Sequence, residues 1–357
     1  MDTKRIPIES AARRIGGVMN PRVEPSADHA VGIRRREATV GILGIVAAAT
    51  ALASSSARAQ AFPTRPLRMI VGFAPGGAAD VMARIVAKGL STQLGQLVNV
   101  ENKPGADGIL AAQELMRASP DGYTLMMGTN TATVAVPALR PNPPYDPFKA
   151  FTPISSAGEF SMFLAVSPAL PSRHLGEFLD HVAAHPGKYN SGSSNSAAEL
   201  AMLQLLGTRG AKVVNARYKG DVQAMTDLVG GQIHMMFSTG TLTPGFAKDG
   251  KIRPLLTLLP QRSPLLPEVP TASELGLGKL TITPWAGFFG PAGMAPELVD
   301  KLSLELRNAL ARPDVRDQLV GQGFSSYGMT AADFTAFFKK QYDGFVATVR
   351  ENNVKLE

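Results

Sequence analysis

Short apolar runs alternate with helical patterns in the first part of the chain, and this order limits the fold more than any other feature. Strands are predicted at residues 67–73, 97–100 and 123–127, and helices at residues 78–94 and 108–118. Turn residues such as Pro75-Gly76-Gly77 separate these segments. A β-α-β-α-β order predicts a parallel sheet with right-handed crossovers.

Six prolines in residues 137–153 interrupt this pattern, and a second alternating stretch follows them. Strands are predicted at residues 162–166, 188–191, 212–215, 233–237, 252–258 and 284–293, and helices at residues 174–185, 197–207, 296–310 and 331–352. We predict the α/β fold class, with two parallel-rich sheets in two domains joined by two crossover segments. The domains are predicted at residues 60–160 with 283–357, and at residues 161–282. A ligand is expected in the crevice between them, at the carboxyl ends of the strands.

Residues 1–59 have the pattern of a secretory signal peptide with an extended basic region. Three arginines at residues 34–36 precede an apolar stretch at residues 38–53, and an A-x-A sequence ending at Ala59 follows it. The stretch is short and rich in alanine and glycine, which disfavours a transmembrane helix. We predict cleavage after Ala59 and a periplasmic location. The pattern leaves open the start residue, Met1 or Met19, and the general or twin-arginine export route.

The net charge of +7 comes mostly from this predicted leader. It holds nine of the 36 Lys and Arg residues and five of the 29 Asp and Glu residues, which leaves 27 basic and 24 acidic residues and a net charge of +3. No later segment combines a dense Lys/Arg run with aromatic residues, so nucleic acid is not expected as a partner. The absence of cysteine excludes disulfide scaffolds, cysteine zinc sites and thiol catalysis.

The loop at residues 73–80 joins a predicted strand to a predicted helix and is suited to hold an anion. Glycines let backbone N–H groups approach a ligand closely, and a helix start adds unpaired N–H donors and a positive dipole end. The candidate ligand-binding residues of this loop are Phe73, Ala74, Gly76, Gly77 and Asp80. The same residues also fit an ordinary strand–helix turn that Asp80 caps.

Residues 190–196 form a counterpart in the second predicted domain, because small polar residues precede a predicted helix there. Its candidate ligand-binding residues are Ser193, Ser194, Asn195 and Ser196. Further candidates follow two other predicted strands: Thr129, Asn130 and Thr131 after one, and Tyr218 and Lys219 after the other. A helix cap, a polar strand end and a solvated surface lysine are the alternatives for these groups.

The sequence carries little sign of catalysis. It has no nucleophile elbow, no phosphate-binding P-loop and no dinucleotide fingerprint. His181 and His185 lie four residues apart on a predicted helix, but no third metal ligand accompanies them, which favours a solvent-facing pair. Trp285, Phe288 and Phe289 are interpreted as packing residues. We therefore predict no catalytic residue, no metal and no cofactor.

Several short motifs follow one another from Phe62 to Phe345 in a characteristic order and spacing. They are Pro66-Leu67-Arg68-Met69-Ile70-Val71, Pro75-Gly76-Gly77 with Asp80, Val100-Glu101-Asn102-Lys103-Pro104-Gly105-Ala106, Pro120-Asp121-Gly122-Tyr123, Tyr218-Lys219-Gly220, Gly230-Gly231-Gln232, Pro267-Glu268-Val269-Pro270-Thr271 and Pro291-Ala292-Gly293. Together these motifs resemble the Bug-type solute-binding receptors of tripartite tricarboxylate transport systems.

This resemblance implies a two-domain periplasmic binding protein of the type II-like, Venus-flytrap architecture, without catalytic activity, that traps its ligand by hinge closure. Family members hold a ligand carboxylate through backbone donors and ordered waters between two inter-domain loops. The positions implied here are the loop residues already named on both domains. The implied ligand is a small organic carboxylate, either a di- or tricarboxylate, an acidic amino acid or an aromatic carboxylate. Membrane transporter subunits are the implied partners, and we expect a monomer.

Some positions depart from the family pattern. Glu199 stands where the family has a histidine, and Arg217 where it has a proline. Ser194-Asn195 replaces glycine, and Gln223 replaces proline. These departures leave open which carboxylate is bound. A receptor that presents its ligand to a signalling partner, and a periplasmic enzyme, are the alternative functions.

Overall fold

The computed structural model describes residues 62–140, 142–277, 280 and 282–351. The predicted signal peptide therefore lies outside the described residues. The described residues belong to one compact unit. Among the described helices, none is both long enough and apolar enough to cross a membrane.

Eleven strands and eleven α-helices make up the regular structure of the described chain. The strands are β1 (Leu67–Val71), β2 (Val98–Asn102), β3 (Thr124–Thr129), β4 (Phe151–Phe160), β5 (Met162–Val166), β6 (Asn190–Ser193), β7 (Val214–Arg217), β8 (Met235–Thr239), β9 (Arg253–Thr257), β10 (Trp285–Pro291) and β11 (Phe324–Ser325). The helices are α1 (Ala78–Leu94), α2 (Ile109–Met116), α3 (Val136–Leu139), α4 (Pro147–Ala150), α5 (Leu175–Ala183), α6 (Ser196–Gly207), α7 (Asp221–Val229), α8 (Thr243–Lys248), α9 (Pro296–Ala311), α10 (Pro313–Gly321) and α11 (Ala331–Glu351). A 3₁₀ turn at Ala106–Gly108 precedes α2, and a π-helical turn at Thr131–Ala135 precedes α3.

The first sheet has six strands in the order β11-β4-β10-β3-β1-β2. Strand β1 lies between β2 and β3 and is parallel to both, as the sequence predicted. Strand β10 returns from the far end of the chain and is antiparallel to β3 and β4. This sheet and its helices, residues 62–160 and 284–351, are the first lobe.

The second sheet has five strands in the order β7-β6-β8-β5-β9. Strand β6 is parallel to β7 and β8, whereas β5 is antiparallel to β8 and β9. This sheet and its helices, residues 162–277, are the second lobe. The predicted α/β class with two sheets is confirmed, but the sheets are mixed and not parallel-rich. Three of the five strand pairs in the first sheet and two of the four in the second are antiparallel, because β10, β11 and β5 run against their neighbours.

Strand β4 was not predicted, because prolines and serines hide its apolar character. The hydroxyl of Ser155 donates to the carbonyl of Met329 at 2.9 Å, and that of Ser156 donates to the carbonyl of Tyr327. Both serines are buried. Carbonyl groups from a distant part of the chain therefore accept hydrogen bonds from these buried serines, which is why a strand with polar residues can be buried here.

The core of the first lobe is aromatic. Trp285, Phe288 and Phe289 on β10 are at most 1% exposed, which confirms that they are packing residues. The ring of Phe334 on α11 packs over Gly287, where an added Cβ would lie 2.1 Å from the ring. A side chain at this position would therefore push α11 away from the sheet.

Two chain segments pass between the lobes. Ser161 is the single residue between β4 and β5, and the amide of Phe160 donates to the carbonyl of Pro284 at 3.1 Å. The two crossing segments therefore lie side by side. The strands divide between the two sheets at these segments, and the exact domain boundaries stay a prediction.

Candidate ligand-binding cleft

Two adjoining cavities lie between the lobes. The first cavity measures ≈ 250 Å³ and the second ≈ 580 Å³. They share a set of lining residues drawn from both lobes: Phe73, Ala74, Ser194, Asn195, Lys219 and Gln223. Because they share these residues, the two cavities are neighbours, and together they are called the cleft below.

Helix α1 begins at the first cavity. Gly76 adopts a φ of +80°, which turns the chain out of β1 and into the helix. The N-cap residue Gly77 provides no side-chain cap, and Ala78 and Ala79 line the cavity. The first-turn amides of α1 thus lack a capping side chain, and the positive end of the helix dipole lies at the cavity wall.

Asp80 lines neither cavity and instead holds the loop at residues 73–80 through hydrogen bonds. Its side chain is 4% exposed and accepts hydrogen bonds from the Gly76 amide at 2.9 Å, Arg84 Nε at 3.0 Å and Asn102 Nδ2 at 2.8 Å. Asn102 also donates to the carbonyl of Phe73 at 3.0 Å. Burial alone raises the pKa of Asp80, but these hydrogen bonds and the charge of Arg84 outweigh it and hold the pKa below its usual value.

The end of β3 supplies the polar wall of the first cavity. The chain turns there from β3 into the π-helical segment, and the turn places three predicted ligand-binding residues at the cavity: Thr129, Asn130 and Thr131. The hydroxyl of Thr129 is buried and has no hydrogen-bond partner among the described residues. Thr131 Oγ1 donates to Asn195 Oδ1 of the second lobe at 3.3 Å. A buried hydroxyl without a partner costs stability unless a ligand or water completes its bonding.

The start of α6 faces this wall from the second lobe. Asn195 caps the helix by accepting from the Ala198 amide at 2.9 Å, and Ser194 donates to Asp221 at the start of α7. Burial raises the pKa of Asp221 even though hydroxyl and amide donors stabilise its carboxylate. Ser193 lines the second cavity, whereas Ser196 lines neither.

Tyr218 and Lys219 play different parts in the cleft. The hydroxyl of Tyr218 donates to Asp227 Oδ2 at 2.8 Å, and burial together with this carboxylate raises the pKa of Tyr218 to about 12. Tyr218 lines the second cavity only. Lys219 is exposed, lines both cavities and makes no ion pair within the described residues. It is therefore available to a negatively charged ligand.

No described group of three or more His, Cys, Asp or Glu side chains could hold a metal ion. His181 Nε2 lies 2.7 Å from the hydroxyl of Tyr189, and His185 Nδ1 lies 2.8 Å from the carbonyl of His181. The histidine pair is thus engaged in hydrogen bonds within the second lobe.

The sequence model of the tripartite tricarboxylate transporter family receptor (TctC) matches residues 82–354. The chain belongs to this receptor family. A relative from Cupriavidus necator, the UPF0065 protein in the gbd 5′ region, is 36% identical over 305 residues, which cover 82% of this chain and 90% of the relative.

Solved structures of similar proteins share the fold. The periplasmic binding protein BugD is 29% identical, with a TM-score of 0.76, and the match covers 83% of this chain and 100% of BugD. MatC from Rhodopseudomonas palustris, solved with bound malate, is 29% identical with a TM-score of 0.73, over 81% of this chain and 100% of MatC. The resemblance to Bug-type receptors is confirmed.

Several residues of this TctC-family cleft were not predicted from the sequence. Apolar side chains close the first cavity beside the crossing segments: Phe160, Met162, Ile282 and Pro284. Asp107 and Arg140 line the second cavity, and Gly220–Gln223 bring the uncapped start of α7 to the first. Strand and helix patterns carry no signal for these residues, because they reach the cleft only through the packing of distant segments.

Proposed function

We propose that this protein is a periplasmic receptor that binds a small organic carboxylate between its lobes and delivers it to a membrane transporter. The observation that carries the proposal is the hydroxyl of Thr129, buried without a partner beside the uncapped start of α1. A donor of this kind, next to free helix amides, suits a carboxylate oxygen.

The donors at the first cavity are of the right number for carboxylate binding. A hydrogen bond to a charged group contributes about 1.5–3 kcal/mol, and micromolar affinity corresponds to about 8 kcal/mol. The Thr129 hydroxyl, two or three α1 amides and the ammonium group of Lys219 together contribute about 6–15 kcal/mol, a range that includes this value before the cost of association. The malate bound by the related receptor MatC is a ligand of the same chemical class.

The cleft also provides an apolar wall for the body of the ligand. Phe160, Met162 and Ile282 line the first cavity on the side of the crossing segments. A carboxylate at the polar wall would place the carbon skeleton against these side chains. Binding of this type requires no reaction, and the sequence motifs of nucleophilic and cofactor-dependent catalysis are absent. We therefore propose a receptor without enzymatic activity.

A thermal-shift panel on residues 60–357 tests this proposal. The panel contains aliphatic, aromatic and amino-acid carboxylates, each against its uncharged amide as a control. Because a ligand that binds only the folded state raises the unfolding midpoint, one carboxylate class should raise it while its amides do not. The variant Thr129→Val should weaken that binding about tenfold, the loss expected for one hydrogen bond to a charged group, and Thr335→Val on α11 should not. A flat panel would refute the proposal.

A further inference from the structure

A strained turn on the first lobe presents Asp107 to the second lobe. Ala106 and Asp107 have φ angles of 49° and 60°, so two consecutive residues other than glycine are left-handed. This region is sparsely populated for such residues, and it persists where the surrounding structure holds it in place. The side chain of Asp107 is only 10% exposed.

Asp107 contacts two residues of the second lobe across the second cavity. The hydroxyl of Ser196, at the start of α6, donates to Asp107 Oδ2, and Arg217 Nη1 lies 3.8 Å from the same oxygen. Arg217 also pairs with Glu199, whose side chain is 13% exposed. One guanidinium group is thus shared between a carboxylate of the first lobe and a carboxylate of the second.

These contacts account for two departures from the family pattern. Arg217 and Glu199 pair with each other and reach Asp107, so each unexpected residue has its partner in the structure. Because the charge of Arg217 is already shared by two carboxylates, that side chain is a poor ligand donor. Lys219 and Arg140 remain as the cations that line the second cavity without an ion pair within the described residues.

We propose that Asp107 is a positioning residue that latches the two lobes together through Ser196 and Arg217. By holding the start of α6, the latch places Ser194 and Asn195 against the polar wall of the first cavity. Because both contacts join protein groups, the latch does not depend on which compound the cleft binds. A receptor held in this way spends less of its binding energy on bringing the lobes together.

Three variants separate the latch from general stability. Asp107→Asn removes the charge and keeps the shape, and asparagine tolerates a left-handed φ, so this variant should fold. Asp107→Ala removes the acceptor as well, and Arg217→Gln removes the charge on the other side. Asp121→Asn is the matched control, because Asp121 pairs with Arg65 at 3.1 Å entirely within the first lobe.

The distance between the lobes is the measurement. The chain has no cysteine, so spin labels on Lys88→Cys in α1 and Lys212→Cys in the second lobe are the only labels on the protein. Pulsed dipolar spectroscopy on the ligand-free protein then reports the distribution of inter-lobe distances. We expect one dominant distance in the parent and in Asp121→Asn, and a second, different distance in Asp107→Ala and Arg217→Gln.

The double variant Asp107→Ala/Arg217→Gln should change the distribution no more than Asp107→Ala alone, because Asp107→Ala already removes both contacts of the latch. Asp107→Asn should give an intermediate change with an unfolding midpoint close to that of the parent. An unchanged distribution in Asp107→Ala overturns the latch, and so does an equal change in Asp121→Asn. Since no ligand is present, neither result bears on the proposed carboxylate binding.

Discussion

At the scale of single residues, the carboxylate of Asp80 joins the start of α1 to the end of β2. The glycine-rich loop around it was predictable, because Pro75-Gly76-Gly77 follows an apolar run and precedes a helical pattern. The direction of the Asp80 side chain was not, since its partner Asn102 comes from β2, whose packing against α1 the sequence does not specify. Its contribution to binding is therefore indirect.

Replacing Asp80 should weaken ligand binding and destabilise the fold. In Asp80→Ala the Gly76 amide and Asn102 lose their acceptor, and each of these part-buried hydrogen bonds contributes about 1 kcal/mol. We expect at least a tenfold loss of affinity for the carboxylate found in the thermal-shift panel. Because the folded-state pKa of Asp80 is lowered, its stabilisation is present above the unfolded-state pKa of about 3.9 and is lost as the pH falls through the folded-state value.

Urea unfolding of the parent and Asp80→Ala at several pH values measures both effects. The difference in unfolding free energy should be largest near neutral pH and shrink in acid. Asp121→Asn, at an exposed first-lobe pair, should behave like the parent. Unchanged ligand affinity in Asp80→Ala would show that the loop holds its position without this carboxylate.

Glu159 presents the opposite case, because the fold disfavours its charge. Burial raises the pKa of Glu159, and the hydrogen bond from the Tyr327 hydroxyl at 3.2 Å offsets only part of that effect. A carboxyl with a raised folded-state pKa destabilises the fold increasingly as the pH rises above the unfolded-state value of about 4.3. Glu159→Gln should therefore melt at a higher temperature than the parent at pH 7 and at the same temperature near pH 4.

Calorimetry of Glu159→Gln at these two pH values checks this prediction, with Glu268→Gln at an exposed position as the control. If the melting temperatures of Glu159→Gln and the parent differed equally at both pH values, the cause would be packing and not the ionisation of Glu159.

At the scale of the elements, most helices and strands were predictable from their periodicity, and α1 and β5 have the predicted bounds. Helix α7 was missed because it is short and lies between Gly220 and Gly230. Strand β4 was missed because distant carbonyls satisfy its serines. In both cases contacts with distant segments stabilise an element that the local sequence pattern does not predict. Both α7 and the end of β4 bring residues to the first cavity.

The start of α6 combines a stabilising role with a place in the cleft. Asn195 accepts from the Ala198 amide within the helix and from Thr131 across the cleft. Asn195→Ala should lower the unfolding free energy by about 1 kcal/mol through loss of the cap. Asn195→Asp keeps a capping oxygen, so its stability should stay close to that of the parent, while its added negative charge should weaken carboxylate binding.

Unfolding titrations together with binding titrations separate the two roles. The prediction fails if Asn195→Asp binds the carboxylate as tightly as the parent does.

At the scale of the whole molecule, the lobes are joined by two crossing segments and also by side-chain contacts, which are those of Thr131 with Asn195 and of Asp107 with Ser196 and Arg217. Ser161 lies between β4 and β5, and its backbone amide donates to Gly323 of the first lobe while its carbonyl accepts from Gly240 of the second. Ser161 is therefore hydrogen-bonded to both lobes. The contacts of Asp107 with Ser196 and Arg217 lie at the second cavity, away from those segments.

This arrangement predicts how ligand and latch combine. A ligand that contacts both lobes stabilises the closed arrangement, and the compaction it produces depends on how much of the protein is closed beforehand. If the latch holds the parent largely closed, a saturating carboxylate should change the radius of gyration little. In Asp107→Ala the ligand-free protein should be more expanded, and the same carboxylate should compact it more.

Small-angle scattering with and without the carboxylate measures the compaction of each protein. A binding titration measures the affinity of each protein for the same carboxylate. Asp107→Ala should bind more weakly than the parent, because part of the interaction energy is used to close the lobes. Asp121→Asn should match the parent in both measurements. Equal compaction and equal affinity in the parent and Asp107→Ala would show that the ligand contacts alone close the lobes and that the Asp107 contacts do not contribute.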